Sequence, residues 1–126
     1  MYRCLLALLA ALWLAGPAAA QVQRHFPATA LRGSIELRQA PEAILNGKEA
    51  RLSAGARIFG QDNLLKMPAS LIGQKMAVHY TVDGQGFVRE VWILTETELA
   101  KRPWPASAAE AKAWHFDPVR QVWAKP

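Results

Sequence analysis

Two stretches of alternating apolar and polar residues flank a glycine-containing turn and predict an antiparallel β-hairpin. The stretches are 75–82 and 87–95, and the turn is Asp83-Gly84-Gln85-Gly86. An alternation of period two places each set of side chains on one face of a strand. One face of this hairpin is apolar apart from Arg89, so we expect it to form the core. Its apolar members are Met76, Val78, Tyr80, Val82, Phe87, Val91 and Ile93.

The register expected for this hairpin pairs Val82 with Phe87 and therefore fixes the second face. On that face His79 is expected to lie opposite Glu90. The pair could act as a base oriented by a carboxylate. We favour an exposed cross-strand pair that contributes less than ~1 kcal/mol. Trp92 shares this polar face, so it needs a cover from the C-terminal tail, from a second layer or from a partner.

The remaining patterns before residue 75 predict short strands joined by tight turns. Gly33–Gln39 alternates and predicts a half-buried strand. Asn46-Gly47 predicts a two-residue hairpin turn, with a bulge at Gly47 as the alternative. Ser53-Ala54-Gly55 predicts another turn, followed by a short strand over Ala56–Phe59. Pro68 argues against a continuous strand in the stretch that follows.

Two capping patterns predict short helices in the C-terminal part of the chain. Thr95 and Ser107 each precede a glutamate by three residues, which is the spacing of a capping box. The second helix is expected to run to about Trp114 and to end before Asp117-Pro118. The residues that follow are too aromatic for a free tail, so we expect them to pack on the strands.

Together these elements predict a mainly β protein, a small antiparallel OB-like or partly closed β-barrel of five to six strands with short C-terminal helices. We divide the chain into a signal peptide (1–20), a lead-in segment (21–32), a barrel domain (33–95) and a helical, Trp-rich cover packed on the barrel (96–126). A chain of this length forms one domain. Its size excludes a (β/α)₈ barrel.

The first 20 residues have the pattern of a secretory signal peptide. Arg3 precedes an apolar run over Leu5–Gly16, Pro17 ends the run, and Ala18-Ala19-Ala20 supplies small residues for cleavage. The run is shorter than the ~20 residues of a membrane span. We expect cleavage after Ala20, a periplasmic location and no stable membrane span afterwards. An uncleaved anchor is the alternative.

Cysteine content and charge narrow the classes of partner and chemistry. The single cysteine, Cys4, leaves with the signal peptide, so we expect no disulfide and no thiol nucleophile. The formal net charge is +5, but only Lys101-Arg102 are adjacent basic residues. Nucleic-acid-binding domains cluster their basic residues, so we expect no nucleic acid partner. An anionic envelope polymer is a candidate partner.

No residue pattern predicts a catalytic or metal site. His25, His79 and His115 lie far apart without a second ligand at short spacing. Met67 and Met76 are better interpreted as core residues than as Cu(I) ligands. No serine lies in a nucleophile-elbow motif. We expect no catalytic residue, no metal and no cofactor, although a buried polar cluster around His79 would favour an enzyme.

Tryptophan is the residue type that most suggests a binding surface. Four of the five tryptophans lie beyond residue 20, and tryptophan often anchors interfaces. The alternative is that the tail tryptophans attach the helix to the barrel. The candidate binding residues are Trp92, Trp104, Arg89 and Arg102.

The function expected from these observations is a non-enzymatic binding or assembly module of the cell envelope. Its partner would be another envelope protein or an anionic envelope polymer. The alternative function is a carrier of a small ligand or metal ion that uses the barrel mouth.

Several segments between Gly33 and Thr95 resemble small exported proteobacterial domains of unknown function with an OB-like small β-barrel. The segments are LNGKEARL, ARIFG, LIGQKMAVHYTVD and GFVREVWILT. The Trp-rich end, with RPWP and WHFDPVRQVW, is similar to exported proteobacterial proteins as well. The resemblance implies a barrel fold and an envelope location. It implies no activity, because a fold of this kind hosts many functions.

Overall fold

The computed structural model describes residues 23–126, and its centre is a closed five-stranded barrel. The strands are β1 (Leu31–Leu37), β2 (Glu42–Leu45), β3 (Lys48–Phe59), β4 (Lys75–Val82) and β5 (Val88–Ile93). They follow the order β1-β2-β3-β5-β4 around the barrel, and β4 closes on β1. The β3–β5 contact is parallel, and the other contacts are antiparallel. The predicted mainly β, OB-like barrel is confirmed.

Short elements lie between and after the barrel strands. They are a 3₁₀ turn (Pro68–Leu71), α1 (Glu96–Leu99), α2 (Ala108–Ala113), β6 (His115–Asp117) and β7 (Val122–Ala124). Both predicted helix caps are confirmed, because the hydroxyls of Thr95 and Ser107 each accept a backbone hydrogen bond from the glutamate three residues on. The second helix ends at Ala113, and β6 and β7 form a two-stranded ribbon that the sequence analysis did not predict.

The turn at Asn46-Gly47 is confirmed, whereas the turn at Ser53-Ala54-Gly55 is wrong. Asn46 and Gly47 have φ values of 53° and 78°, as a primed hairpin turn requires. Strand β3 instead runs through residues 53–55 without a break. It pairs with β2 in its first part and with β5 further on, and a register shift lies between Leu52 and Arg57. A bulged, bent strand therefore turns the corner of the barrel where we predicted a loop.

The β4–β5 hairpin forms as predicted, but its register is wrong. Val82 pairs with Val88 instead of Phe87, and a register shift lies between Thr81 and Val82. The cause is the turn, because Asp83 Oδ1 accepts a hydrogen bond from the backbone N of Phe87 at 2.9 Å. This bond draws Phe87 into the turn. His79 consequently lies opposite Trp92, and the predicted His79–Glu90 pair does not form.

The barrel interior holds the first hydrophobic core. The predicted core positions Val78, Tyr80 and Val91 are buried in it. Val88, which alternation next to Arg89 predicts on the polar face, also belongs to this core, while Val82 is 47% exposed. Its other buried members are Ile35, Leu37, Ala43, Leu52 and Ile58.

A second hydrophobic core covers the outer face of β4 and β5. Its buried members are Phe26, Ala30, Trp92, Leu94, Trp104 and Trp123. They come from the lead-in segment, from β5 and the residue after it, and from the C-terminal tail. These segments form a covering layer over Trp92, and both ends of the described chain contribute to this layer.

The predicted signal peptide, its cleavage site after Ala20 and Cys4 lie outside the described residues. Between residues 23 and 126, no helix combines the length and the apolar content that crossing a bilayer requires.

Candidate functional site

A cavity of about 500 Å³ lies in the second layer, on the outer side of the barrel. Phe26, His79 and Trp104 supply aromatic lining, and Arg24, Glu98 and Lys101 are among the charged residues around it. Its volume falls within the range of small-molecule sites, which are typically about 300–1,000 Å³. The site is thus assembled from the lead-in segment, strand β4, helix α1 and the residues that follow the helix.

A row of outward-facing cross-strand partners runs over four strands and includes His79, which lines the cavity. Arg32 of β1 pairs with His79 of β4, His79 pairs with Trp92 of β5, and Trp92 pairs with Phe59 of β3. Cross-strand partners point to the same face of a sheet. The covering layer encloses this row, and His79 is only 1% exposed. Our interpretation of His79 as a surface residue is therefore wrong.

The His79 ring is packed between aromatic neighbours. It stacks on the ring of Trp104, with a centroid distance of 4.1 Å and an angle of 23°. The Phe26 ring approaches it at 4.5 Å and 87°, in an edge-to-face arrangement. These contacts fix the orientation of the imidazole.

Arg32 holds one nitrogen of His79 and the carboxyl end of α1 at the same time. Its Nε and Nη2 lie 3.2 and 3.1 Å from His79 Nε2. It also donates hydrogen bonds to the carbonyl oxygens of Glu98, Leu99 and Lys101, at 2.8, 3.3 and 2.8 Å. These carbonyls lie at the end of a helix, where intrahelical donors run out. Arg32 therefore connects the barrel wall to the covering layer.

The Arg32 contact fixes the tautomer of His79, and burial keeps the ring neutral. Arginine only donates hydrogen bonds, so Nε2 is the acceptor and Nδ1 carries the proton of the neutral ring. Burial lowers the pKa of His79 to about 3, and the charges of Arg32 and Arg24 contribute to the shift. The ring is therefore neutral at pH 7. Its Nδ1 is buried and has no hydrogen-bond partner.

Arg24 forms a buried ion pair with Glu98. Nε donates to Oε2 at 2.8 Å and Nη2 donates to Oε1 at 2.5 Å. The same guanidinium donates to the carbonyl oxygens of Gly60 and Ile93, at 2.8 and 2.7 Å. Burial raises the pKa of Glu98, but hydrogen bonds from Arg24 and Thr95 outweigh it and lower the pKa overall. The pair ties the lead-in segment to α1 and to the ends of β3 and β5.

Gln121 fastens the lead-in segment to the β6–β7 ribbon. Its Oε1 accepts a hydrogen bond from the backbone N of Phe26 at 2.9 Å, and its Nε2 donates to the carbonyl oxygen of Pro118 at 2.8 Å. The side chain is buried, and its backbone φ is 55°. Through this residue the tail positions Phe26 against His79.

The charges of the residues that line the cavity balance. Its acidic lining residues are both paired, Glu98 with Arg24 and Asp62 with Lys66. Lys101 also lines the cavity, and its Nζ makes one long hydrogen bond of 3.4 Å to a backbone carbonyl oxygen. Lys101 is therefore a lining cation for which the described residues supply no acidic partner.

The structure brings together two of the four predicted binding residues. Trp92 and Trp104 both pack against Phe26, with ring centroids 5.6 and 5.9 Å away, and they are 8% and 6% exposed. Trp104 lines the cavity and donates from Nε1 to the carbonyl oxygen of Ala30. Arg89 and Arg102 are exposed and do not line it.

Sequence reasoning missed Arg24, Arg32 and Gln121 as site residues. The position of Glu98 could be predicted in part from the sequence, because the capping box placed it at the start of a helix. The partners of Arg24 and Gln121 lie 74 and 95 residues away along the chain. No local pattern identifies such contacts.

Comparisons of the chain with family models, with curated proteins and with solved structures found no match. Among residues 23–126, no group of three or more His, Cys, Asp or Glu side chains is arranged to hold a metal ion.

Proposed function

We propose that the protein is a non-enzymatic binding module of the cell envelope that holds a small ligand in the cavity beside His79. The observation that carries the proposal is the cavity itself, a space of about 500 Å³ with aromatic and charged residues around it. Its volume is that of sites that hold small molecules. Lys101 lines it and has no acidic partner among the described residues.

The burial of the tryptophans favours a cavity over a flat docking surface. Trp92 and Trp104 expose less than a tenth of their surface, so a partner protein could contact little of either ring. The exposed Arg89 and Arg102 stay candidates for contact with an anionic envelope polymer.

A buried polar cluster around His79 is the arrangement that would favour an enzyme. The charges beside His79, however, argue against proton transfer and for a binding protein. General acid–base catalysis works best with a pKa near the working pH. Protonation of His79 would add a third positive charge beside Arg24 and Arg32, and its pKa is lowered to about 3. Nε2 is already occupied by Arg32. The imidazole is therefore better suited to accepting the hydrogen bond from Arg32 than to moving a proton.

The experiment for the binding function is a fragment screen by ¹⁵N-¹H NMR on the purified protein. We expect hits to shift the indole N–H of Trp104 and the amide of Phe26. A Thr97→Trp variant, which places a large side chain at an exposed position of the cavity lining, should lose most of these hits. Hits that shift only residues outside the cavity, or an unchanged set of hits in the variant, would contradict the proposal.

The periplasmic location is supported by the signal-peptide pattern and by the resemblance to exported proteobacterial domains. N-terminal sequencing of the protein from the periplasmic fraction should give Gln21 as the first residue. Recovery of the chain with Met1, or only from the cytoplasm, would overturn this location.

A second candidate function is assembly with another envelope protein at the connection between β3 and β4. Leu64, Leu65, Met67 and Ile72 are 63%, 65%, 74% and 48% exposed. Clustered exposed apolar residues often mark interaction sites. A photo-crosslinking residue at position 67 should give one adduct of defined mass in cells. Val119 is 78% exposed but lies in a different part of the chain, so it is the control position, and equal labelling from both positions would contradict docking.

A further inference from the structure

We propose that the connection between β3 and β4, residues 60–74, docks on the surface of an anionic lipid bilayer. This inference goes beyond the small-ligand function, and it uses the export expected from the signal-peptide pattern. Three features carry it: the exposed apolar side chains of the connection, the basic residues beside it, and the place at which the described chain begins. An envelope protein and a second copy of the chain are the competing occupants, and the test separates them.

The connection lies across one end of the barrel and is fastened there at two points. Strands β1, β3 and β5 end where β4 begins, because β3 is parallel to β5 while β4 is antiparallel to β5 and to β1. Leu65 forms a β-bridge with Phe59 at the end of β3, and Ile72 forms one with Leu37 at the end of β1. The connection is therefore a fixed part of this end of the barrel.

Hydrogen bonds hold the backbone of the connection while its large apolar side chains are exposed. The backbone N of Lys66 donates to the carbonyl oxygen of Ile58 at 2.8 Å, and the backbone N of Gly73 donates to that of Leu37 at 3.0 Å. The exposed apolar residues are Leu64, Leu65, Met67 and Ile72. Clusters of this kind mark contacts with proteins or membranes, and a backbone that is already ordered loses little freedom on binding.

The charges beside the connection favour an anionic surface. The cavity of the candidate site and a second cavity below the connection both include residues from 60–74. Together their lining holds four cations and two anions, namely Arg24, Lys66, Lys75, Lys101, Asp62 and Glu98. Both anions are already paired, and Glu36, the cross-strand partner of Lys75, is paired with Arg38. Lys75 and Lys101 therefore have no acidic partner among the described residues, and anionic headgroups would balance them.

The chemistry of the connection favours lipid over a protein partner. It contains no aromatic residue and no arginine. Energetically dominant residues of protein interfaces are enriched in Trp, Tyr and Arg, and leucine is under-represented among them. Aliphatic side chains next to lysines suit the boundary between acyl chains and headgroups, because a lysine keeps its charged end in the headgroup region while its methylene groups lie deeper.

The described chain begins beside this connection. Gln23, the first described residue, lines the same cavity as Asn63, which directly precedes Leu64. The apolar run that is expected to lie in the membrane during export, Leu5–Gly16, ends seven residues before Gln23. A link of seven residues spans at most about 25 Å. Until the signal peptide is cleaved, this end of the barrel is therefore kept close to the bilayer.

The test measures binding of the protein from the periplasmic fraction to vesicles of defined composition. Anionic vesicles contain phosphatidylethanolamine and phosphatidylglycerol in a ratio of 7:3, and neutral vesicles contain phosphatidylcholine alone. In sedimentation and flotation assays at 20 mM NaCl, we expect a partition coefficient at least tenfold higher for the anionic vesicles. Raising NaCl to 200 mM should reduce this difference, because salt screens charge.

Two pairs of variants assign the binding to named residues. Leu64→Ser/Leu65→Ser should reduce binding to anionic vesicles at least tenfold, because it removes apolar area that enters the bilayer. Val119→Ser, at a residue equally exposed in a different part of the chain, should leave binding unchanged. Lys75→Gln should reduce binding about fivefold, which is the effect of one basic residue near an anionic surface. Lys112→Gln, at an exposed lysine outside both cavities, should have no effect.

A fluorescent probe identifies the part of the protein that enters the bilayer. Cys4 is the only cysteine and precedes the expected cleavage site, so an introduced cysteine gives one labelling position. A nitrobenzoxadiazole probe on Met67→Cys should shift its emission to the blue with anionic vesicles. The same probe on Val119→Cys should not shift.

The outcomes separate failure of this inference from failure of the binding function. Equal binding to both kinds of vesicle, unchanged binding of Leu64→Ser/Leu65→Ser, or equal emission shifts at the two probe positions would overturn bilayer docking. A single cross-linked protein at position 67 without vesicle binding would assign the connection to an envelope protein. A dimer that Leu64→Ser/Leu65→Ser abolishes, again without vesicle binding, would assign it to a second copy. None of these results affects the cavity function, which the fragment screen tests separately.

Discussion

Arg24→Met is the substitution that most directly tests how the covering layer is held on the barrel. Arg24 lies outside every helix and strand, yet its side chain is only 5% exposed. Methionine keeps much of the length and apolar contact of the side chain but removes the guanidinium. The substitution deletes four hydrogen bonds, two to Glu98 and two to backbone carbonyl oxygens of Gly60 and Ile93.

We expect Arg24→Met to lower the free energy of unfolding by about 3 kcal/mol. Removing one partner of a buried ion pair typically costs about 3–5 kcal/mol, because the other charge stays buried and unpaired. Glu98 keeps the hydrogen bond from Thr95 N and is 12% exposed at its side chain, so we take the lower end. For a domain of about 100 residues, this loss corresponds to a fall in Tm of roughly 12–24 °C.

The double variant Arg24→Met/Glu98→Gln separates the ion pair from the rest of the perturbation. Glutamine removes the unpaired charge and can still accept from Thr95 N. The double variant should therefore be more stable than the sum of the single effects predicts, with a coupling energy of at least about 1.5 kcal/mol. Urea unfolding followed by tryptophan fluorescence measures these differences, since Trp92, Trp104 and Trp123 all lie in the affected layer.

Arg38→Met is the matched control for this experiment. Arg38 pairs with Glu36 at 3.3 Å, but its side chain is 54% exposed. Exposed pairs contribute about 0–1 kcal/mol, so this variant should lose less than about 0.5 kcal/mol. A loss below about 1 kcal/mol in Arg24→Met, or strict additivity in the double variant, would refute the idea that Arg24 holds the covering layer on the barrel.

Three further predictions concern protonation, a turn and a buried amide. The unfolded chain protonates His79 near pH 6.5, but the folded ring, with its pKa lowered to about 3, resists protonation. The contribution of the neutral ring to the free energy of unfolding is therefore full above pH 6.5 and is lost as pH falls towards 3. Between pH 7 and pH 5, urea titrations should show the free energy of unfolding falling by about 2 kcal/mol, and His79→Phe should remove this slope. Gly47→Ala should cost about 1 kcal/mol in urea unfolding, because φ is 78° there, whereas Gly84→Ala, at a glycine without positive φ, should cost little. Gln121→Leu should cost about 2 kcal/mol and speed hydrogen exchange at the amide of Phe26, whose acceptor it removes.

Each of these predictions has a result that contradicts it. A slope between pH 7 and pH 5 that is the same in His79→Phe would show that other groups cause it. Equal losses in Gly47→Ala and Gly84→Ala would remove the argument from backbone conformation. Unchanged exchange at Phe26 in Gln121→Leu would show that this amide has another source of protection.

The elements of the barrel that could be predicted are those whose cause lies within a few residues. Asn46-Gly47 tolerates positive φ at both positions, so the turn is encoded where it occurs. The hydroxyl of Thr95 reaches a backbone N–H only three residues away, and the cap follows from that spacing. Alternation gives the inner face of β4 directly, because Val78 and Tyr80 are separated by one period.

The hairpin register could not be derived from alternation, because it depends on one side chain in the turn. Asp83 accepts hydrogen bonds from the backbone N of Gln85 and of Phe87. The turn thereby takes in Phe87, and Val88 becomes the partner of Val82. Pairing Val82 with either Phe87 or Val88 leaves an apolar face, so the hydrophobic pattern alone does not choose between them.

The candidate site escaped prediction for a related reason, because its residues acquire their meaning only when distant segments meet. His79 stands on the polar side of an alternating strand, and such a residue is ordinarily exposed. It is buried here because Phe26 and Trp104 fold over it from opposite ends of the chain. A lone Arg24 in an aperiodic segment looks like any surface arginine until Glu98 is brought to it.

This mode of assembly links ligand binding to the stability of the covering layer. The cavity has lining on the barrel from His79, and its other lining comes from residues that Arg24, Arg32 and Gln121 hold in place. A ligand that binds only when this layer is closed stabilises the closed form by mass action. Arg24 therefore contributes to affinity by keeping the layer closed, in addition to lining the cavity, since every opening of the layer dismantles the site. Variants of Arg24 and Gln121 should raise the apparent dissociation constant by the factor by which they lower the closed population.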